Sequence, residues 1–138
     1  LLWTAYCNVR LDRTESARLF LAEARPIASR DAEFSLHQLV LARIELKDGN
    51  YRAALEEVSQ GVVFSRIGYE WIPELLYTSA LCYEALGNPS TARTVYEQII
   101  LFFPSRTWAE RSREKRDKLE IPIPAEGADP GETKAPAT

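Results

Sequence analysis

The chain has 138 residues, 46% of them hydrophobic, with 17 Lys plus Arg against 20 Asp plus Glu and a formal charge of -3. That is enough apolar material for one domain with a modest core, without the basic excess that draws nucleic acid or the acidic excess of a solvating tail. Apolar runs such as Ile99 to Phe103 fall far short of the roughly 20 residues a membrane-spanning helix needs. Met is absent even at position 1, so the chain is expected to start inside a longer protein. Cys7 and Cys82 lack CxxC spacing and His37 has no second histidine near it, so a four-ligand zinc site cannot be assembled. All three are expected to be buried, satisfied side chains.

Taken in chain order, the elements are helical. A turn-and-helix segment, DRTESARLFLAEA, occupies 12 to 24, and Pro26 marks a break before the polar Ser29-Arg30-Asp31. Residues 33 to 48 place Leu36, Leu39, Val40, Ile44 and Leu46 at helical spacing, and Asp48-Gly49-Asn50 ends the run. Asn50 is then expected to cap a helix from Tyr51 to about Arg66. Pro73 opens another helix ending near Leu86, where Gly87-Asn88-Pro89 repeats the punctuation, with Asn88 as cap and Pro89 at the first helical position. That helix runs to Phe103, Pro104 closes it, and 105 to 120 form a final charged helix. From Ile121 the chain turns Pro- and Gly-rich, and 121 to 138 are expected to be a disordered tail, since they carry too little apolar surface to offset ordering entropy.

The segments repeat. Each turn is followed by a small residue, at Ala17, Ala54 and Ala92, spaced 37 and 38 residues apart. A bulkier apolar residue follows four later, at Leu21, Val58 and Tyr96, then Ala24, Gly61 and Ile99 three later again. Twelve positions before each alanine stands another, Ala5, Ala42 and Ala80. Antiparallel helices approach closely only where one side chain is short, so these pairs predict three stacked helical hairpins.

On these residues the chain resembles the tetratricopeptide repeat family, whose unit is a helix hairpin of about 34 residues. Residues 73–106 carry the pattern at Ala80, Tyr83, Gly87, Ala92, Tyr96, Ile99 and Pro104; 35–68 carry it at Leu41, Ala42, Gly49, Ala54 and Val58, departing at Gly61 and Arg66. A first unit, about 1–32, matches at Ala5, Ala17, Leu21 and Ala24. The segment FFPSRTWAERSREKRDKL is similar to the ends of bacterial cell-envelope tetratricopeptide proteins of the Tol–Pal-associated and outer-membrane-assembly types. The resemblance implies an all-α fold: a right-handed α-α solenoid of about three hairpins with a C-terminal capping helix, Trp108 packing back on the third unit. It also implies a periplasm-facing place in a bacterial envelope.

No glycine-rich phosphate loop, GxSxG or HExxH occurs, and no cofactor motif or catalytic constellation emerges. The cations Arg111, Arg113, Lys115, Arg116 and Lys118 alternate with acids, as on a solvated helix face, and nucleic-acid binding is not expected. The architecture instead implies a concave groove lined by the first helix of each hairpin. Projecting the register puts Leu2, Tyr6 and Arg10 there, then Leu39, Arg43 and Lys47, then Tyr77, Leu81 and Glu84. Aromatic and aliphatic groups flanked by Arg and Lys suit a peptide or protein segment with an apolar anchor and an acidic group. The same residues near Leu2 could instead pack on a preceding repeat. The expected activity is non-enzymatic scaffolding or assembly, with a regulatory or substrate-positioning domain of a larger enzyme as the alternative. The asparagine-rich carboxylate clamp of chaperone-binding relatives is not matched.

Overall fold

The three small-residue pairs resolve into three antiparallel helix pairs. The computed structural model describes residues 1–64, 70–103 and 106–121, with Arg106 described by its backbone alone. Among these there are seven helices and no strand: α1 (Leu2–Arg10), α2 (Thr14–Glu23), α3 (Phe34–Lys47), α4 (Tyr51–Val63), α5 (Ile72–Ala85), α6 (Pro89–Phe102) and α7 (Arg106–Lys118). Consecutive helices pack as the hairpins α1–α2, α3–α4 and α5–α6, with α7 against α6. The first helices of the hairpins also lie side by side, α1 on α3, α3 on α5, α5 on α7. This neighbour-to-neighbour order is that of an all-α helical-repeat solenoid.

Close approach within each hairpin explains the period. Ala5, Ala17, Ala42, Ala54, Ala80 and Ala92 are all at 0% exposure, the two alanines of each hairpin leaving no side chain to hold its helices apart. The turns repeat as faithfully. Asp12 (φ 58), Gly49 (φ 80) and Gly87 (φ 76) adopt left-handed backbone, each five residues before its hairpin's second alanine. The next residue, Arg13, Asn50 or Asn88, donates its N–H to the carbonyl five back, at 2.8 to 2.9 Å. Helices end this way when an αL residue lets the chain fold over its last carbonyls. The first hairpin uses aspartate in that place, a residue that tolerates αL, and the Asp12 carboxylate pairs with Lys47 of the next turn. Arg18 and Asp48 form a second ion pair between the same two hairpins.

One apolar cluster joins the first two hairpins through Leu2, Val9, Leu36, Leu39, Val40, Ile44 and Val58, and reaches Leu75 of α5. A second joins α5, α6 and α7 through Val95, Tyr96, Ile99 and Trp108. Trp108 therefore packs back on the third hairpin as expected. Gly61, where the second unit departs from the family pattern, has a packing reason. A Cβ there would lie 3.0 Å from Leu75 Cδ1 and 3.1 Å from Gln38 Cβ, so glycine lets α4 approach α3 and α5.

Several local expectations are corrected. Asn88 does cap α6, its Oδ1 accepting from Thr91 N–H at 3.2 Å. Asn50 does not cap α4 with its side chain; its amide nitrogen donates to Glu45 Oε2 at 2.8 Å, a charge-assisted bond. The helix beginning at Tyr51 ends at Val63 rather than near Arg66, which falls in the undescribed 65–69; the final helix ends at Lys118 rather than at 120, and its expected start at 105 lies outside the described residues. Cys82 is buried, but Cys7 is exposed and His37 is half-buried, its Nδ1 2.9 Å from Gln38 Oε1. Cys7 lies on the side of α1 that in α3 and α5 is covered by the preceding hairpin: its register equivalents Ile44 and Cys82 are at 2% and 0% exposure. Pro104 and the tail from 122 onward lie outside the described residues.

Two substitutions separate packing from turn geometry. Ala92→Leu should destabilise the protein by about 1–3 kcal/mol through overpacking of the third hairpin. Gly87→Ala, whose Cβ meets nothing within 4 Å, should cost about 1–2 kcal/mol from the left-handed backbone alone. Urea unfolding monitored by helical circular dichroism measures both, and an unchanged midpoint for Ala92→Leu would contradict the repeat register.

Candidate functional site

The row α1, α3, α5, α7 curves strongly enough for its two ends to touch. No backbone contact links α1 to α5 or to α7, yet side chains from α1 reach both. Tyr6 Oη donates to Glu74 Oε2 at 2.7 Å, and the Arg10 guanidinium lies 5.6 Å from the Trp108 ring centroid. Side chains of the first and fourth helices in a row meet only if the row bends toward them. This inner surface is the concave face.

Its centre is Glu74, a carboxylate in the first turn of α5 with 1% side-chain exposure. A buried carboxylate is costly unless its oxygens are paired. Here Tyr6 supplies a hydroxyl, Arg10 Nη1 lies 3.4 Å from Oε1, and Arg43 Nη2 lies 3.4 Å from the same oxygen. The first turn of α5 adds the favourable end of its helix dipole. Burial, followed by the bond to Glu74, pushes the Tyr6 hydroxyl up to about 12, so the phenol remains a donor. Around this centre Tyr6, Trp3 and Trp71 form an edge-on aromatic trio with centroids 5.2 to 6.1 Å apart.

Toward α7 the face is built differently. Tyr77 packs on Trp108 at 5.3 Å and on Tyr96 at 5.6 Å between centroids. Tyr96 donates its hydroxyl to Glu84, whose other oxygen accepts from Lys115 Nζ at 3.2 Å. Burial and the neighbouring Glu84 hold the Tyr96 hydroxyl far above its ordinary range. Burial also raises that of Tyr77, against the opposing fields of Lys115, Arg111 and Arg43. These cations come from α7 and α3, and the Glu84 carboxylate acts on the same hydroxyl with the opposite sign. Arg111 lies over Trp108 at 5.0 Å, as Arg10 does at 5.6 Å; at a partly exposed site each such contact is worth about 0.5–1 kcal/mol.

The residues expected in the groove are distributed unevenly. Tyr6, Arg10 and Arg43 converge, but on an internal carboxylate. Leu39 is not available to a partner: it is at 0% exposure in the core, as is Leu2 at 5%, because α3 is flanked on both sides by other helices. Lys47 is half exposed and pairs with Asp12 at the turns. Tyr77 and Leu81 are half-buried, and Glu84 turns to Tyr96 and Lys115. Glu74, Trp71, Trp108, Arg111 and Lys115 were not anticipated in the face. A signal existed for Glu74: it stands 38 residues after Leu36, a 2% exposed core position, so the register puts an acid where the previous hairpin has a leucine. Arg111 and Lys115 carry no such signal, since a mixed-charge helix does not reveal which cations face inward.

Among the described residues no cluster of three or more His, Cys, Asp or Glu is placed to hold a metal, and no helix is long and apolar enough to cross a membrane. The Glu74 network makes a direct prediction. Arg10→Ala and Arg43→Ala should each cost less than the carboxylate burial demands, since one guanidinium and Tyr6 remain. The double variant should lose more than the sum of the two, reaching about 3 kcal/mol or more as Glu74 is left with one partner. A double-mutant cycle by urea unfolding measures this, and simple additivity would mean that the two arginines do not share the carboxylate.

Comparison with known proteins agrees with this geometry over one hairpin. No curated protein and no solved structure matches the chain. Residues 74–105, from the buried glutamate of α5 to just beyond α6, match the family model described as tetratricopeptide repeat.

Proposed function

We propose that this protein is a non-enzymatic scaffold or assembly factor that takes a peptide or protein segment on its concave face. Tetratricopeptide repeats generally mediate protein–protein interaction and are generally non-catalytic modules. The observation that carries the proposal is the Tyr77–Trp108 ring pair, at 5.3 Å between centroids, with the exposed Arg111 lying 5.0 Å over Trp108, on the inner side of a curved row of helices. An aromatic floor with a cationic rim suits a segment bearing an apolar side chain and a nearby Asp or Glu. Glu74 consumes much of the charge of Arg10 and Arg43, which moves the recognition of an acidic group toward α7. Residues 1–120 act as the binding unit in this reading, with 121–138 as a linker. The similarity of 102–119 to the ends of envelope tetratricopeptide proteins favours an assembly role at a bacterial cell envelope.

Reversing the charge of Arg111 tests the face without entering the core, since this residue is exposed. Arg43→Glu is a poorer choice because it would set a second carboxylate against Glu74. Immobilised wild-type protein should retain a partner from a cell extract that Arg111→Glu loses, with the circular dichroism of the two unchanged. Equal retention by both would remove the concave face from the binding reaction.

A further inference from the structure

In a helical-repeat solenoid each unit touches only its neighbours, and the backbones here obey that rule. Side chains of α1 break it, Tyr6 by bonding Glu74 of α5 and Arg10 by reaching α7. Arg10, at the end of α1, extends past two intervening first helices, with its guanidinium 5.7 Å from the Tyr6 ring and 5.6 Å from the Trp108 ring of α7. Its Nη1 also donates to Tyr6 Oη at 2.9 Å. Trp108, at 9% exposure, is covered by guanidinium groups from opposite ends of the protein, Arg10 and Arg111.

We propose that Arg10 is a strap across the concave face: lying on Trp108 it ties the first hairpin to α7 and closes the face, and it leaves Trp108 when a protein segment occupies the groove. This rests on the reading of the concave face as a docking surface. Three features fit a strap better than a fixed element of the core. The contact is made entirely by side chains, so it can break without any helix being rebuilt. Arg10 keeps 32% of its side chain exposed, so the released guanidinium returns to water at little cost. Glu74 keeps Tyr6 and Arg43 when Arg10 swings away, so release strands no buried charge. A partner would bind with its affinity lowered by the fraction of molecules in which the strap is closed, and loss of the strap would raise that affinity.

The distance between the two ends reads the strap directly. Cys7, exposed on α1, takes one nitroxide; Cys82 stays unlabelled, being buried with its thiol pushed up to about 11 by desolvation. A Glu114→Cys substitution on the exposed side of α7 takes the other. Pulsed dipolar spectroscopy on the doubly labelled full chain should give a narrow distribution, which Arg10→Ala broadens and shifts to longer distance. Arg43→Ala removes the other Glu74 guanidinium without touching Trp108, and should leave the distribution narrow. An Arg10→Ala distribution identical to the wild type overturns the strap. So does equal broadening by Arg43→Ala, which would assign the effect to the Glu74 network. Both measurements use the protein alone, so failure to find any partner would count against the docking surface and leave this result unaffected.

Discussion

The close approach of two helices at a pair of alanines is the constraint on which the rest of this structure depends. With Ala5 against the Ala17 helix, Ala42 against that of Ala54 and Ala80 against that of Ala92, all without exposed surface, each hairpin is thin enough to be stacked on the next. The αL turn residue five positions upstream fixes where the second helix starts, and so aligns the second alanine with the first. Everything beyond the hairpin follows from stacking. First helices form one row, second helices cover it, and apolar side chains between them gather into two clusters, one under the first two hairpins and one under α5, α6 and α7.

Stacking alone leaves an inner surface, and this protein spends it unusually. Glu74 occupies a register position that is leucine in the preceding hairpin, which places a carboxylate where an apolar group would stabilise at no electrostatic cost. Its partners come from two other helices, so the acid converts a packing position into a cross-link among α1, α3 and α5. Replacing a buried ion pair by apolar groups of the same size is often neutral or stabilising, and in some proteins such pairs serve to fix geometry. Here the fixed quantity is curvature: Tyr6 and Arg10 can reach Glu74 only if the row bends. The same bend carries Arg10 to Trp108, where Arg111 of α7 also lies over the ring.

The hairpins and their register were legible in the sequence because they are governed by local rules: helical periodicity, αL-tolerant turn residues, proline at a helix start, and small residues at a constant spacing. Trp108 was legible as a packing residue for the same reason. The inner face was legible only in part. Register placed Tyr6, Arg10, Arg43 and Tyr77 on the right row, but it could not tell Leu39, which other helices cover completely, from Tyr77, which they cover only half. Nor could it show that two of the expected cations answer to an internal acid. Asn50 does not cap; its amide nitrogen bonds Glu45, a contact invisible to a rule about turns.

The sequence by itself thus determined the unit, three alanine-paired hairpins and a terminal helix, since spacing along the chain is all that a hairpin requires. Only the tertiary structure decided which side chains of different hairpins meet. The pairing of Glu74 with Tyr6, Arg10 and Arg43, and of Arg10 with Trp108, depends on the curvature of the stack. Curvature is the sum of small rotations between neighbouring hairpins, and no single stretch of sequence encodes it.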